Sequence, residues 1–208
     1  MFRFFCHILI WSLCWLFLGW AEPVRAGAPT DTVRATVEEV IRLLSDEGLK
    51  TQKQKRRQAV KQAVDRVFDY EEMARRSLPN WTRLSASQRQ EFVRLFAELL
   101  EASYADKFER YSGERVAFQG ESLEGDHAEV RTVLLRKNDR IPMNYRLLNK
   151  SRWLVYDVVI EGVSLVSNYR SQFTRIISES SYDELVRRLR NKVEEQRRLE
   201  RLQGKPGL

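Results

Sequence analysis

Two side chains in this sequence stand where acid–base chemistry could use them. His127 follows Gly125-Asp126 at the start of a strand-like run, and Asp157 lies inside "RWLVYDVVI". An imidazole titrates near neutrality and can shuttle protons. A carboxylate in an apolar strand can be held protonated and serve as a general acid or base. Neither residue has the companions such chemistry needs. No G-x-S-x-G elbow supplies a nucleophile beside His127, and a single histidine makes a poor zinc site. His127 therefore reads as an exposed turn residue. Asp157 reads as a structural carboxylate that bonds nearby backbone or pairs with an arginine. No glycine-rich phosphate loop of either the G-x-x-x-x-G-K-[ST] or the G-x-G-x-x-G type is present, so no nucleotide cofactor is expected.

Both cysteines, Cys6 and Cys14, fall within an N-terminal apolar run from Phe4 to Trp20 that follows the basic start Met1–Arg3. Small residues come next, and cleavage is expected after Ala26 or Ala28. This is the pattern of a secretory signal peptide over residues 1–26. The run is slightly short for a membrane span, which needs about 20 apolar residues. The exported chain would hold no thiol and no disulfide, so its stability must come from packing. The net charge is +7. Loss of Arg3, Arg25 and Glu22 with the leader would leave the chain basic.

The elements that must position Asp157 follow from hydrophobic periodicity. After a Gly/Pro linker at 27–30, capped by Asp31 or Thr32, a helix is expected over Val33–Leu44 and ends at Gly48. A second, strongly basic helix runs from about Thr51 to Val67. "FDYEEMARRSL", capped by Asp69, gives a short third helix stopped by Pro79. The run from Ser85 or Ser87 to Tyr111 carries a wide stripe of phenylalanine and leucine. The period then changes to two. Val116 and Phe118 open one strand; "HAEVRTVLLR" and "RIPMNYRLLN" alternate around the turn residues Asn138-Asp139. "RWLVYDVVI" is apolar on both faces, with Trp153, Val155 and Val159 on one and Leu154, Tyr156, Val158 and Ile160 on the other, so it is expected to be covered on both sides. Helices over Ser164–Ser178 and Tyr182 to about Leu202 close the chain. Helices, an antiparallel meander and more helices make an α+β fold: a curved sheet of about four strands with helices packed on one face and helical terminal segments.

The last helix is rich in arginine, but Glu184, Glu194, Glu195 and Glu200 interleave with it at pairing distance. It reads as a solvated face, and no nucleic-acid partner is expected. The apolar stripes are more suggestive. The Phe/Leu helix, the two-faced Trp153 strand and the Tyr169/Phe173 helix together carry many large side chains for one sheet layer. Sheet and helices of this kind can enclose a ligand cavity as well as a dry core.

The joined segment "WLVYDVVIEGVSLVSNYRSQFTRII" resembles the C-terminal signature of the MlaC, or toluene-tolerance, family. Trp153, Tyr156-Asp157, Gly162-Val163-Ser164, Asn168-Tyr169-Arg170 and Phe173 carry the likeness. "SLPNWTRLSASQRQEFVRLFAELLEASY" and "MNYRLL" support it. It spans about residues 31–192, which sets the expected domains: leader 1–26, lipid-binding domain 27–192 and basic helix end and tail 193–208. Family members commonly have glycine before the tryptophan of "LPNW", where this chain has Asn80.

The resemblance implies an NTF2-like or cystatin-like fold and a periplasmic phospholipid carrier, not an enzyme. Such a carrier would shuttle lipid between an outer-membrane lipoprotein complex and an inner-membrane ABC transporter with an MCE-domain subunit, maintaining outer-membrane asymmetry. Carriage of another lipid such as a hopanoid, a lipid-free periplasmic adaptor, or an enzyme on the same fold using Asp157 or Tyr145 are the other readings. Residues expected to line the acyl tails are Phe92, Phe96 and Leu99 on the long helix. In the strands they are Val130, Leu134, Met143, Tyr145, Val155 and Val159, and in the helix after the signature strand Val166, Tyr169 and Phe173. Asn168 and Arg170 are expected to stabilise the strand-to-helix junction.

Overall fold

The computed structural model describes residues 29–203; the leader, its cysteines and the expected cleavage positions lie outside them. Helix α1 spans Pro29–Ser45 and begins four residues before the expected start, with proline in the first turn, where its missing N–H costs nothing. Thr30 fastens this end to the sheet. Its backbone N–H and hydroxyl donate to the Glu121 carboxylate at 3.0 and 2.6 Å, and the Arg34 guanidinium lies 4.0 Å above the Phe118 ring. The expected second helix is present, and a short unexpected one precedes it. Asp46 caps a short helix, α2 (Glu47–Lys50), by accepting from the Leu49 N–H, and α3 (Lys53–Asp65) follows. Gly48 therefore sits inside a helix and does not end one.

Helix α4 (Tyr70–Ser77) is capped by Asp69, which accepts from the Glu72 N–H. A 3₁₀ turn at Trp81–Arg83 leads to α5 (Ala86–Glu109). Its N-cap is Ser85, in a full capping box with Gln88. Asn80 lies in the left-handed region, with φ of 60°, a conformation that glycine and asparagine adopt at least cost. Its place before Trp81 thus satisfies the same backbone demand a glycine would.

Strands β1 (Arg115–Glu124), β2 (His127–Arg136), β3 (Asp139–Asn149), β4 (Trp153–Ile160) and β5 (Val163–Ser164) form one antiparallel meander in sequence order. The β4–β5 turn is Glu161-Gly162, both at positive φ (51° and 81°), the combination a two-residue hairpin of the primed type requires. The edge of β4 that faces away from β3 is shared by β5 and, further back along the strand, by Phe68: Asp69 N–H donates to Val155 O and Val155 N–H to Val67 O, both at 2.8 Å. Helices α6 (Leu165–Glu179) and α7 (Tyr182–Gln203) complete the described chain.

One departure from strict alternation decides which residues face where. Arg146 pairs with Asp157 and Leu147 with Val155, so Tyr156 is an extra residue in β4. Such a bulge flips every side chain beyond it to the opposite face. Val158 and Ile160 consequently join Val155 on the inner face, and Val159 falls on the outer one. The expected face assignment of β4 is correct only up to Val155.

Buried apolar residues gather in three groups. Helices α4 to α7 pack around Met73, Phe92, Phe96, Phe173 and Leu185. Val33 of α1 sits on the inner face of the sheet with Val130, Leu147, Trp153 and Val155. Leu43, Leu44, Val60 and Ala63 join α1 to α3. Arg170 ties α6 to α4 by donating to the Arg76 carbonyl at 2.8 Å. On α7 four of the arginines are compensated: Arg187 and Arg188 pair with Glu184, Arg197 reaches Glu98 of α5 at 2.9 Å, and Arg190 pairs with Glu91, also of α5.

A charged cluster holds α4 against the β3–β4 turn. Glu72, buried, accepts from Arg75 and Arg76, and Lys150 reaches Asp69 at 2.8 Å and Glu72 at 3.7 Å. Hydrogen bonds from Arg75, then from Arg76, pull the Glu72 carboxyl from 4.5 down to about 2, against the opposing effect of burial. A carboxyl depressed in the folded state binds protons more readily once unfolded, so its contribution is complete above the unfolded value and is lost as pH falls toward the folded one. We expect urea midpoints to drop between about pH 5 and about pH 2, and Glu72→Gln to flatten part of that slope while lowering the midpoint at neutral pH. An unchanged slope in the variant would remove Glu72 from the acid response.

Candidate ligand cavity

The sheet's inner face and helices α1 and α3 do not close on one another. Val33, Val37, Val40, Ile41 and Leu44 recur at helical spacing on α1, and Val60 and Val64 on α3. Most are valines; Val33 and Val37 pack on the sheet, while the short side chains further along α1 and on α3 leave space before it. The space left is a cavity of about 360 Å³, within the usual range for a small-molecule site. The sheet contributes Val116 from β1, Leu134 from β2, Ile141, Met143 and Tyr145 from β3, and Val155, Val158 and Ile160 from β4. The last turns of α5 close one side with Leu100, Tyr104 and Phe108. Leu134, Met143, Tyr145 and Ile160 face inward yet are only half-buried, because the cavity opens to solvent.

Charged residues are a minority of the lining: Arg56, Arg57, Lys61, Glu101, Glu114 and Arg136, each at least partly exposed. Lys61 is paired with Asp65 and lies 3.8 Å from Glu101, and Arg136 lies 3.8 Å from Glu114. Phenols also line the cavity, Tyr70 and Tyr145 among them. Burial pushes the Tyr145 hydroxyl up to about 12. Tyr70 is raised further, by burial first and then by Asp65, to which it donates at 2.9 Å. Both stay neutral under any ordinary condition, so they add no charge to the walls.

Four of the residues expected to line acyl tails border this cavity: Leu134, Met143, Tyr145 and Val155. The other eight lie elsewhere. Phe92, Phe96, Leu99, Val166, Tyr169 and Phe173 belong to the helical core. There Phe92 and Phe96 stack at 6.0 Å, and Phe173 meets both edge-on at 5.6 and 5.7 Å. Val130 is fully buried against the sheet's inner core, and Val159 lies on the outer face beyond the bulge. The valine faces of α1 and α3 were absent from that expectation. Their signal was a helical stripe made of small apolar residues, which leaves room where an aromatic stripe fills it.

The two acid–base candidates have other work. His127 is exposed, with Nδ1 2.6 Å from the neighbouring Asp126 carboxylate and its ring edge-on to Tyr156 at 6.0 Å. Asp157 is 3% exposed. It accepts from the Ser164 hydroxyl at 2.6 Å, the Val166 N–H at 3.1 Å and Arg146 at 3.3 Å. Ser164 also accepts from the Ser167 N–H and so caps α6. The carboxylate thus locks the strand-to-helix junction and does not face the cavity. Among the described residues no group of three or more His, Cys, Asp or Glu could hold a metal, and no helix is long and apolar enough to cross a membrane.

With this geometry in view, the chain was compared with known proteins. The family described as MlaC protein matches residues 34–191. The intermembrane phospholipid transport system binding protein MlaC of Haemophilus influenzae is 30% identical over 112 residues, covering 50% of this chain and 52% of that protein. The chain thus aligns with about half the length of that relative. A phospholipid-binding protein from Ralstonia solanacearum, solved in complex with a phospholipid, has a similar fold. The TM-score is 0.72 at 24% identity, over 80% of this chain and 97% of that one.

Replacing Asp157 with alanine should cost about 2–4 kcal/mol in urea unfolding, because it leaves the buried Val166 N–H and the Ser164 hydroxyl without their acceptor, while Arg146 keeps Glu129 at 3.3 Å. A loss below about 1 kcal/mol would mean the junction does not depend on this carboxylate.

Proposed function

Starting from the premise that this chain belongs to the MlaC family, we propose that it is a periplasmic phospholipid carrier that holds acyl chains in the cavity between α1, α3 and the sheet. The observation that carries the reading is the composition of that cavity: walls mostly of valine and other apolar residues, with neutral phenols and a few partly exposed charged side chains among them. That is the complement of an amphiphile with hydrocarbon tails and a polar head. Leu134, Met143, Tyr145 and Val155, with the valines of α1 and α3, are the proposed tail contacts. The names of the two relatives, each tied to phospholipid, support the same ligand class.

The energetics explain why a carrier is needed. A two-tailed lipid exposes about 30 methylene groups at about 0.8 kcal/mol each, so passage through water would cost on the order of 25 kcal/mol. Transfer from a membrane into the cavity exchanges one apolar surrounding for another, and its net free energy can be small. The carrier then supplies passage and not direction. Direction falls to partners, here an outer-membrane lipoprotein complex and an inner-membrane ABC transporter with an MCE-domain subunit, and the outcome is maintenance of outer-membrane lipid asymmetry.

Organic extraction of the purified exported protein, followed by mass spectrometry, should release about one phospholipid per chain. Met143→Trp, which places an indole in the cavity, should cut that yield by about fivefold or more. Val159→Trp, on the outer face, should lower stability instead, by about 1–3 kcal/mol. Extracts free of lipid would overturn the carrier reading in favour of an adaptor, and a hopanoid in place of phospholipid would change the cargo.

A further inference from the structure

We propose that Arg56 is the head-group determinant of the cavity, engaging the phosphate of the bound lipid and favouring lipids of net negative charge. The inference rests on the carrier reading and goes beyond it to the class of head group. Four cations, Arg56, Arg57, Lys61 and Arg136, and two carboxylates, Glu101 and Glu114, line the cavity. Two of the cations are compensated within the protein: Lys61 by Asp65 and Glu101, and Arg136, at longer range, by Glu114. Arg57 has protein contacts of its own. Arg56 differs. Its backbone N–H bonds Gln52 O, but its half-buried guanidinium has no carboxylate partner among the described residues.

A guanidinium held at the edge of an apolar cavity without a counter-charge is partly desolvated at a cost. The first turn of α3 aggravates this. It holds Lys53, Lys55 and Arg56 and no acidic residue, although the N-terminal end of a helix favours negative charge. Local rules broken without compensation inside a protein mark a place completed from outside. The group that completes this one lies at the mouth of a hydrocarbon-lined hollow, and it must be anionic and attached to apolar chains. A lipid phosphate meets both conditions, and the planar guanidinium can take two of its oxygens at once. The residual positive charge of the lining adds a preference for a head group that carries no cation of its own.

The test is competitive loading. Delipidated protein is incubated with vesicles of equal phosphatidylglycerol and phosphatidylethanolamine, re-isolated, and its lipid identified by mass spectrometry. The wild type should enrich phosphatidylglycerol about three- to fivefold, the range a half-exposed ion pair supplies. Arg56→Gln should bring the ratio close to one, and Arg56→Lys should restore part of it. Lys53→Gln combined with Lys55→Gln, which changes exposed residues away from the cavity wall, should keep the wild-type ratio. An unchanged ratio in Arg56→Gln overturns the proposal. So does loss of the preference in the double lysine variant, which would assign selectivity to capture at the vesicle surface. Failure of every form, wild type included, to take up either lipid would instead sink the carrier reading on which the proposal stands.

Discussion

The buried carboxylate of Asp157 fastens the helical layer to the sheet at the point where strand becomes helix. Asp157 sits on the outward side of β4 and accepts from the first turn of α6 and from Arg146 of the neighbouring strand. The bulge at Tyr156 puts it there. Without the extra residue, Asp157 would point into the hollow and its three donors would lose their acceptor. The same bulge delivers Val158 and Ile160 to the cavity wall. A local irregularity thereby assigns one stretch of strand to two tasks, anchoring the helical layer and lining an apolar chamber.

The division of side-chain size follows. Where α4 to α7 meet, large aromatic residues interlock and leave no room. Where α1 and α3 face the sheet, valines predominate and leave a chamber. Apolar composition alone does not distinguish these layers. Volume does, because interiors pack to near-crystalline density only when side chains are long enough to interdigitate. The protein is stabilised by the first layer and kept hollow by the second.

Much of this was legible beforehand. The long α5 stripe, its serine cap, the β2–β3 hairpin and the Asp157 contact with nearby backbone all follow from spacing and residue type. The cavity's position was harder to read. Big aromatic residues such as Phe92 and Phe173 attract attention as ligand contacts, yet size is what lets them fill space against one another. The placement of Val159 could not be read because a bulge is set by pairing with β3, a non-local matter invisible in the run "RWLVYDVVI". The one-turn helix α2 has a smaller cause: Asp46 caps it by accepting from the Leu49 N–H, a local device that periodicity does not register.

The Thr30–Glu121 clasp joins residues 91 positions apart. Helix α1 and the strands β1 and β2 that it docks on are thus separated in the chain by all of α2 to α5. Closing so long a loop sacrifices chain entropy. One wall of the chamber is thus fastened by a contact of high sequence separation, whose entropic cost the packing of sheet and helices must offset.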